Sequence, residues 1–198
     1  MIFKDKILEW KVKLKQYNFE WKYKLFVCAP ILIFLIGSDL ITKIIVANKF
    51  ELGQEAKLIP GFIKLKYTIN LGMAYGGLED KQYLVISIAS IITFLLIIFF
   101  IFLNNKKWLI ALVFILSGSF ANLIARSWAP LNENSKPGGV IDFLVWDISW
   151  VKASYIFNLA DLWVNVGIGV SALVIVIEFI EFIKTKFKKQ KGEEECNK

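Results

Sequence analysis

The chain has 198 residues, 57% of them hydrophobic, and carries 24 Lys and Arg against 17 Asp and Glu for a net charge of +7. With no histidine and only two cysteines, Cys28 and Cys196, a zinc site or a histidine-based triad has almost no ligands to draw on. The apolar residues fall in long blocks, which points to one compact membrane domain. The lysines gather in the tails and one short turn, which suits an anionic membrane face and gives no footing for nucleic acid.

Residues 1–24 carry seven lysines, and Ile7, Trp10, Leu14, Tyr17 and Trp21 recur between them at three- and four-residue steps. That pattern predicts an amphipathic helix lying on the membrane interface. The basic stretch is too long for a cleavable signal peptide, and no small-residue cleavage site follows it. Cys28 opens a hydrophobic segment while Cys196 lies in the polar tail, so a disulfide between them is not expected.

Four segments are long and apolar enough to span a bilayer, which takes about 20 residues. They are roughly 25–46, 83–103, 108–124 and 160–183. Lysines crowd the first 24 residues, the turn 104–107 and the tail after 183, while the loops 47–82 and 125–159 are longer and more sparsely basic. Both termini are therefore expected in the cytoplasm, with the two loops outside. The parts of the chain are 1–24, an amphipathic cytoplasmic segment; 25–183, a four-span domain; and 184–198, a basic and acidic tail. The first outer loop has strand character: in "KLIPGFIKLKYTINLGMAYGGL" Phe62, Lys64 and Lys66 alternate with Ile63, Leu65 and Tyr67. A small sheet at the membrane surface is expected there.

Several polar residues stand out against this background. Asp39 and Lys43 sit four apart in the first span and share a helix face, either as a neutralised pair that orders the bundle or as support for a nearby site. Asn122 and Arg126, also four apart, end the third span. There the arginine either meets headgroups or binds a carboxylate or carbonyl oxygen. Asn158 and Asp161 have the spacing of an N-cap and its N3 partner. Asp142 precedes Asp161 by 19 residues, across a loop that can fold back. Two carboxylates meeting there would share a proton, one acting as base toward water and the other polarising a carbonyl. That chemistry needs no metal, no cofactor and no histidine. Asp147 competes for the second position and ranks lower.

Taken together, these residues resemble the lipoprotein signal peptidases, the bacterial signal peptidase II family, from about residue 35 to 170. "SDLITK" at 38–43 resembles the first-span motif and places Asp39 and Lys43. "NLGMAYG" at 70–76 places Asn70 and Gly72, and "ANLIAR" at 121–126 places Asn122 and Arg126. "VIDF" at 140–143 and "FNLAD" at 157–161 resemble the motifs of the catalytic aspartates, which fall on Asp142 and Asp161. The resemblance implies a four-transmembrane-helix bundle with an extracytoplasmic β-sheet. It implies an aspartic endopeptidase that removes the signal peptide of prolipoproteins by cutting before a diacylglyceryl-modified cysteine. Asn122 and Arg126 would orient substrate or hold the dyad, Asn158 would position Asp161, Asn70 would face the substrate cleft, and Asp39 and Lys43 would support the core. Membrane lipids and prolipoproteins are the expected partners, the cyclic peptide globomycin the expected inhibitor, and a monomer the expected state.

Two features depart from the family pattern. Ala125 stands where the family has an aspartate before the arginine, which removes an expected partner of Arg126, and Ala121 replaces a glycine. The stretch "SWAPLNENSKPGG" also lengthens the path from Arg126 to Asp142 and reads as an exposed loop. Other classes fit less well. Presenilin- and prepilin-peptidase-like proteases carry a Gly-x-Gly-Asp string that is missing here. A transporter would use the charges as a path, yet no repeated half or pair of broken helices is seen. The helix dipole favours negative charge at Asp161, so Asp161 is expected to begin as base and Asp142 as acid.

Overall fold

The computed structural model describes residues 2–72, 81–132, 136–148 and 155–196. Four helical stretches are long and apolar enough to cross a membrane: Trp21–Lys49, Gln82–Phe102, Lys106–Trp128 and Leu159–Lys188. The first, third and fourth overrun the spans expected from hydropathy, because polar and aromatic flanking residues continue the helix into the interface, while Gln82–Phe102 matches the expected 83–103 to within one residue at each end.

The first departure lies near the N-terminus. Helix α1 (Ile2–Gln16) stops short, and Tyr17 and Trp21 fall beyond its end. Glu20 takes a left-handed conformation (φ 50°), and the Asn18 side chain closes the bend by accepting from the Glu20 backbone N–H at 3.0 Å. The single turn α2 (Trp21–Tyr23) and a wide π-helical turn, Lys24–Cys28, then lead into α3 (Ala29–Lys49). The bend is anchored to α4 (Gln82–Phe102): Tyr17 donates to the Phe102 carbonyl at 2.5 Å and Lys24 to the Ile101 carbonyl at 2.6 Å. Those carbonyls end a helix and have no partner within it.

Helix α5 (Lys106–Trp128) is the most enclosed of the four and packs against α3, α4 and α6. Its contact with α6 (Leu159–Cys196) depends on small residues. A Cβ at Gly118 would run into the Ala160 carbonyl oxygen, and one at Gly167 would lie 2.9 Å from the Ala111 oxygen. Close backbone approach of this kind substitutes for the hydrophobic drive that lipid cannot supply. At the far end Asn105 caps α5 by accepting from the N–H groups of Lys107 and Trp108, while Glu178 and Glu181 of α6 take Trp108 Nε1 (3.0 Å) and the Lys107 ammonium (2.8 Å). Helix α6 continues through Cys196, so the basic and acidic tail is helical over 184–196. Its Lys, Gln and Glu content favours helix. At 1.5 Å per residue its 38 residues reach about 57 Å, well past a hydrocarbon core about 30 Å thick.

The opposite end of the bundle carries an antiparallel sheet in the order β1-β2-β3-β4. Strands β1 (Glu55–Ile59) and β2 (Ile63–Asn70) form a hairpin within the small sheet expected in the first outer loop, and Lys64 and Lys66 both pair with Glu55. Strand β3 (Val140–Trp146) and the two-residue β4 (Ile156–Phe157) come from the second loop. Tyr67, Ile141, Phe143, Leu144 and Phe157 pack with Val46 of α3 into a core that seats the sheet on the helix ends. Asp147 lies past the end of β3, where it accepts from the Gly61 N–H at 3.3 Å and helps close the hairpin turn.

Candidate active site

Asp142 sits in the middle of β3, paired across the sheet with Thr68 of β2. The register shifts between Leu65 and Thr68, a bulge of the sort that re-aims side chains beside functional sites. Asp161 lies in the first turn of α6. Its Oδ2 accepts from the Asn158 backbone N–H at 3.1 Å, and its own N–H donates to Asn158 Oδ1 at 3.0 Å. The two residues thus close a reciprocal cap at the helix N-terminus.

Asn158, fully buried, joins the two aspartates. Its amide nitrogen donates to Asp142 Oδ1 at 2.7 Å and also lies 3.1 Å from Asn122 Oδ1. The other Asp142 oxygen accepts from Asn70 Nδ2 at 2.9 Å, and the Asn70 oxygen in turn accepts from the Gly72 N–H. Asn122 donates to Asp161 Oδ1 at 2.9 Å and accepts from the Lys43 ammonium at 2.7 Å. Lys43 is paired with Asp39 at 2.7 Å, and neither side chain reaches solvent. Asp39 Oδ1 also accepts from the Ala160 N–H at 2.8 Å, so the first span helps cap the last.

Arg126 has found other partners than a carboxylate. It donates to the carbonyls of Leu71 (3.4 Å), Gly72 (2.9 Å) and Gly138 (3.1 Å). It thereby ties the exit of β2 to the entry of β3, and Ala125 beside it is fully buried. The missing aspartate therefore leaves no orphaned guanidinium.

Asn70, Gly72, Asn122, Arg126, Asp142 and Asp161 line a cavity of about 100 Å³, completed by Val140 and Tyr155. Asn158, Asp39 and Lys43 stand behind it. Tyr155 was not among the residues singled out by sequence, where nothing but its closeness to "FNLAD" pointed to it. Met73 to Gly76 of the second motif lie outside the described residues. Burial, and next the nearby Asp161 charge, push the Asp142 carboxyl up to about 7, against the opposing hydrogen bonds from Asn70 and Asn158. Among the described residues no three His, Cys, Asp or Glu side chains are grouped to hold a metal ion.

A cavity holding two carboxylates of unequal surroundings is equipped for proton transfer to and from a water. Comparison with known proteins agrees with this chemistry. Residues 31–179 match the family described as signal peptidase (SPase) II. The lipoprotein signal peptidase of Fusobacterium nucleatum is 33% identical over 156 residues, covering 77% of this chain and 85% of its own. That of Clostridium tetani is 33% identical over 153 residues, covering 75% and 92%. A solved bacterial membrane enzyme superposes with a TM-score of 0.67 at 26% identity, over 78% of this chain and 91% of its own.

Proposed function

The chain belongs to the signal peptidase II family, and we propose that Asp142 and Asp161 are the carboxylates with which it hydrolyses its substrate. It is an aspartic endopeptidase of the bacterial cell membrane that processes lipoprotein signal peptides. The observation that carries the assignment of the dyad is that two carboxylates from separate elements front one cavity, with Asn158 bonded to both.

In this reading the pair holds one proton at neutral pH. Asp142, buried in β3, keeps it; Asp161, facing the N–H groups of a helix start, is ionised. Asp161 takes a proton from water as the water oxygen attacks the scissile carbonyl carbon, while Asp142 donates to the carbonyl oxygen. Return of a proton to the amide nitrogen then breaks the C–N bond and releases the new N-terminus. Asn70 and Asn158 hold Asp142, Asn122 holds Asp161, Asp39 and Lys43 brace Asn122, and Arg126 with Gly72 fixes the loops that frame the cleft.

The substrate is a prolipoprotein cut before its diacylglyceryl-modified cysteine. Its acyl chains lie between the apolar helix faces, and its peptide extends along the sheet, where backbone pairing is available. A globomycin-like peptide competes for the same cleft, and the enzyme works as a monomer. The site faces away from the cytoplasm, because the sheet and the cavity sit at the helix ends opposite the lysine-rich turn 104–107. Residues 1–24 lie on the cytoplasmic surface: Ile7, Trp10 and Trp21 are exposed, and lysines are interspersed among them. Residues 25–183 form the peptidase domain, and 184–198 project into the cytoplasm.

The test is cleavage of a purified diacylglyceryl-modified prolipoprotein by the parent, Asp142→Asn and Asp161→Asn. Each variant should remain folded and lose at least about 100-fold in kcat. Folded variants that cut at the parent's rate would overturn the dyad.

A further inference from the structure

Resting on the placement of residues 1–24 at the cytoplasmic surface, we infer that helix α1 docks on anionic phospholipid headgroups and that this docking holds α4 in the bundle. The residues concerned, 6–24, precede the stretch that matches the signal peptidase II family. Ile7, Trp10 and Leu14 share one face of α1, at three- and four-residue steps. Lys6 and Lys13 flank that face on one side and Lys11 and Lys15 on the other, while Leu8, Glu9 and Val12 turn away from it. Ile7, Trp10 and all four lysines are exposed, and among the described residues none of the four pairs with a carboxylate. An apolar stripe bordered by unpaired cations is complementary to the headgroup and acyl boundary of an anionic leaflet. In a chain already held at the bilayer by four spans, that leaflet is the surface within reach.

Residues 17–24 form a strap between α1 and α4. The Tyr17 N–H donates to the Leu14 carbonyl at 3.3 Å, so the strap begins in the last turn of α1. Its other contacts fall on the end of α4. Besides the bonds from Tyr17 and Lys24 to the Phe102 and Ile101 carbonyls, the Phe19 ring stands 5.9 Å from that of Phe102, and the Lys24 ammonium lies 5.5 Å over the Phe100 ring. Glu20 adds an ion pair with Lys106, the first residue of α5, at 3.4 Å. Helix α4 has little else to hold it. It buries only Val85 and Thr93 and packs chiefly on α5. Among the described residues three side-chain hydrogen bonds join it to another element: Thr93 with Ser119 at 2.8 Å, and the two from the strap. Such ties count in a bilayer, where apolar contact alone gives helices no drive to associate. A leaflet that fixes α1 keeps Tyr17 and Lys24 at the end of α4, and by linkage the strapped state binds the leaflet more tightly.

The experiment measures amide hydrogen exchange by mass spectrometry on the full chain in nanodiscs of phosphatidylcholine, with and without phosphatidylglycerol. The readouts are the amides of α1 and those of the last turns of α4. Phosphatidylglycerol should slow exchange in α1 by at least about 10-fold and at the end of α4 by at least about threefold. Both effects should vanish at about 1 M salt, where the Debye length is about 3 Å. A variant with Lys6, Lys11, Lys13 and Lys15 all changed to Gln should lose both responses. Tyr17→Phe combined with Lys24→Met should keep the response of α1 and lose that of α4. The Gln variant leaves every strap bond in place, so its loss of the α4 response does not come from a damaged bundle. Protection of α1 that is equal in the two lipids would leave the surface placement standing and overturn the anionic partner. Free exchange of α1 in both would overturn the placement and the inference together. A response confined to α1 in the parent would overturn the hold on α4.

Discussion

Replacing Asn158 separates two roles that one side chain combines. Its oxygen caps α6 by accepting from the Asp161 N–H, and its nitrogen donates to the Asp142 carboxylate at 2.7 Å. Asn158→Ser keeps an acceptor suited to the cap but has no amide to reach Asp142. Asn158→Ala loses both. Asp142 needs its proton to act as the acid, so the rate is full at low pH on this limb and falls as pH rises through about 7. Removing a hydrogen bond to the carboxylate form makes that form less favourable, so the limb moves up. A charge-assisted hydrogen bond contributes about 1.5–3 kcal/mol, and a pH unit corresponds to about 1.4 kcal/mol, so the shift is on the order of 1–2 units. The same move is expected for both variants in kcat/KM–pH profiles. Thermal unfolding in detergent distinguishes them: Asn158→Ala should lose roughly 1–2 kcal/mol more than Asn158→Ser, the value of a cap. Profiles that superpose on the parent's in both variants would refute the bridge between Asn158 and Asp142.

Three further outcomes follow from packing and charge. Lys43→Met strands the fully buried Asp39 carboxylate and should cost about 3–5 kcal/mol in unfolding experiments; adding Asp39→Asn, which keeps an acceptor for the Ala160 N–H, should recover much of that loss. Gly118→Ala places a Cβ against the Ala160 carbonyl and should destabilise the α5–α6 contact by about 1–3 kcal/mol, whereas Gly37→Ala meets nothing within 4 Å and should leave the melting temperature unchanged or slightly raised. Ala125→Asp, although it recreates the family's carboxylate, buries a charge beside an arginine already bonded to three carbonyls, and its melting temperature should fall below the parent's.

The spans were legible because apolar runs of that length have few alternatives, and the partnership of Asn158 with Asp161 follows from a local spacing rule. The pairing of Asp39 with Lys43 was legible for the same reason. What escaped was non-local or lacked periodicity. Strand β3 is buried on both faces, so "VIDFLVW" has no alternation to reveal it, and an aspartate inside the run argues against a strand. A carbonyl oxygen was among the partners the sequence offered Arg126, but that the carbonyls are those of Leu71, Gly72 and Gly138 is non-local, and no side-chain pattern announces it. The break after Gln16 depends on Asn18 and Glu20, while the apolar spacing from Leu14 to Tyr17 and Trp21 runs through it as though the helix continued. Tyr155 lines the cavity from the residue before β4, a two-residue strand whose pairing with β3 has no local signature.

The contact between Asp39 and the Ala160 N–H joins groups 121 residues apart in the chain. At about 5–20 residues per second of synthesis, roughly 6–24 s pass between the appearance of the first span and the start of the last. During that interval Asp39 and Lys43 are already at membrane depth before Asn122 and then Ala160 arrive to meet them, and their four-residue spacing lets the helix that carries them neutralise its own charges. The nascent protein can thus enter the bilayer without a chaperoning partner for either charge. It also remains inert, because the residues that complete the reaction centre arrive with the final helix, and a chain stalled before that point has no protease to release.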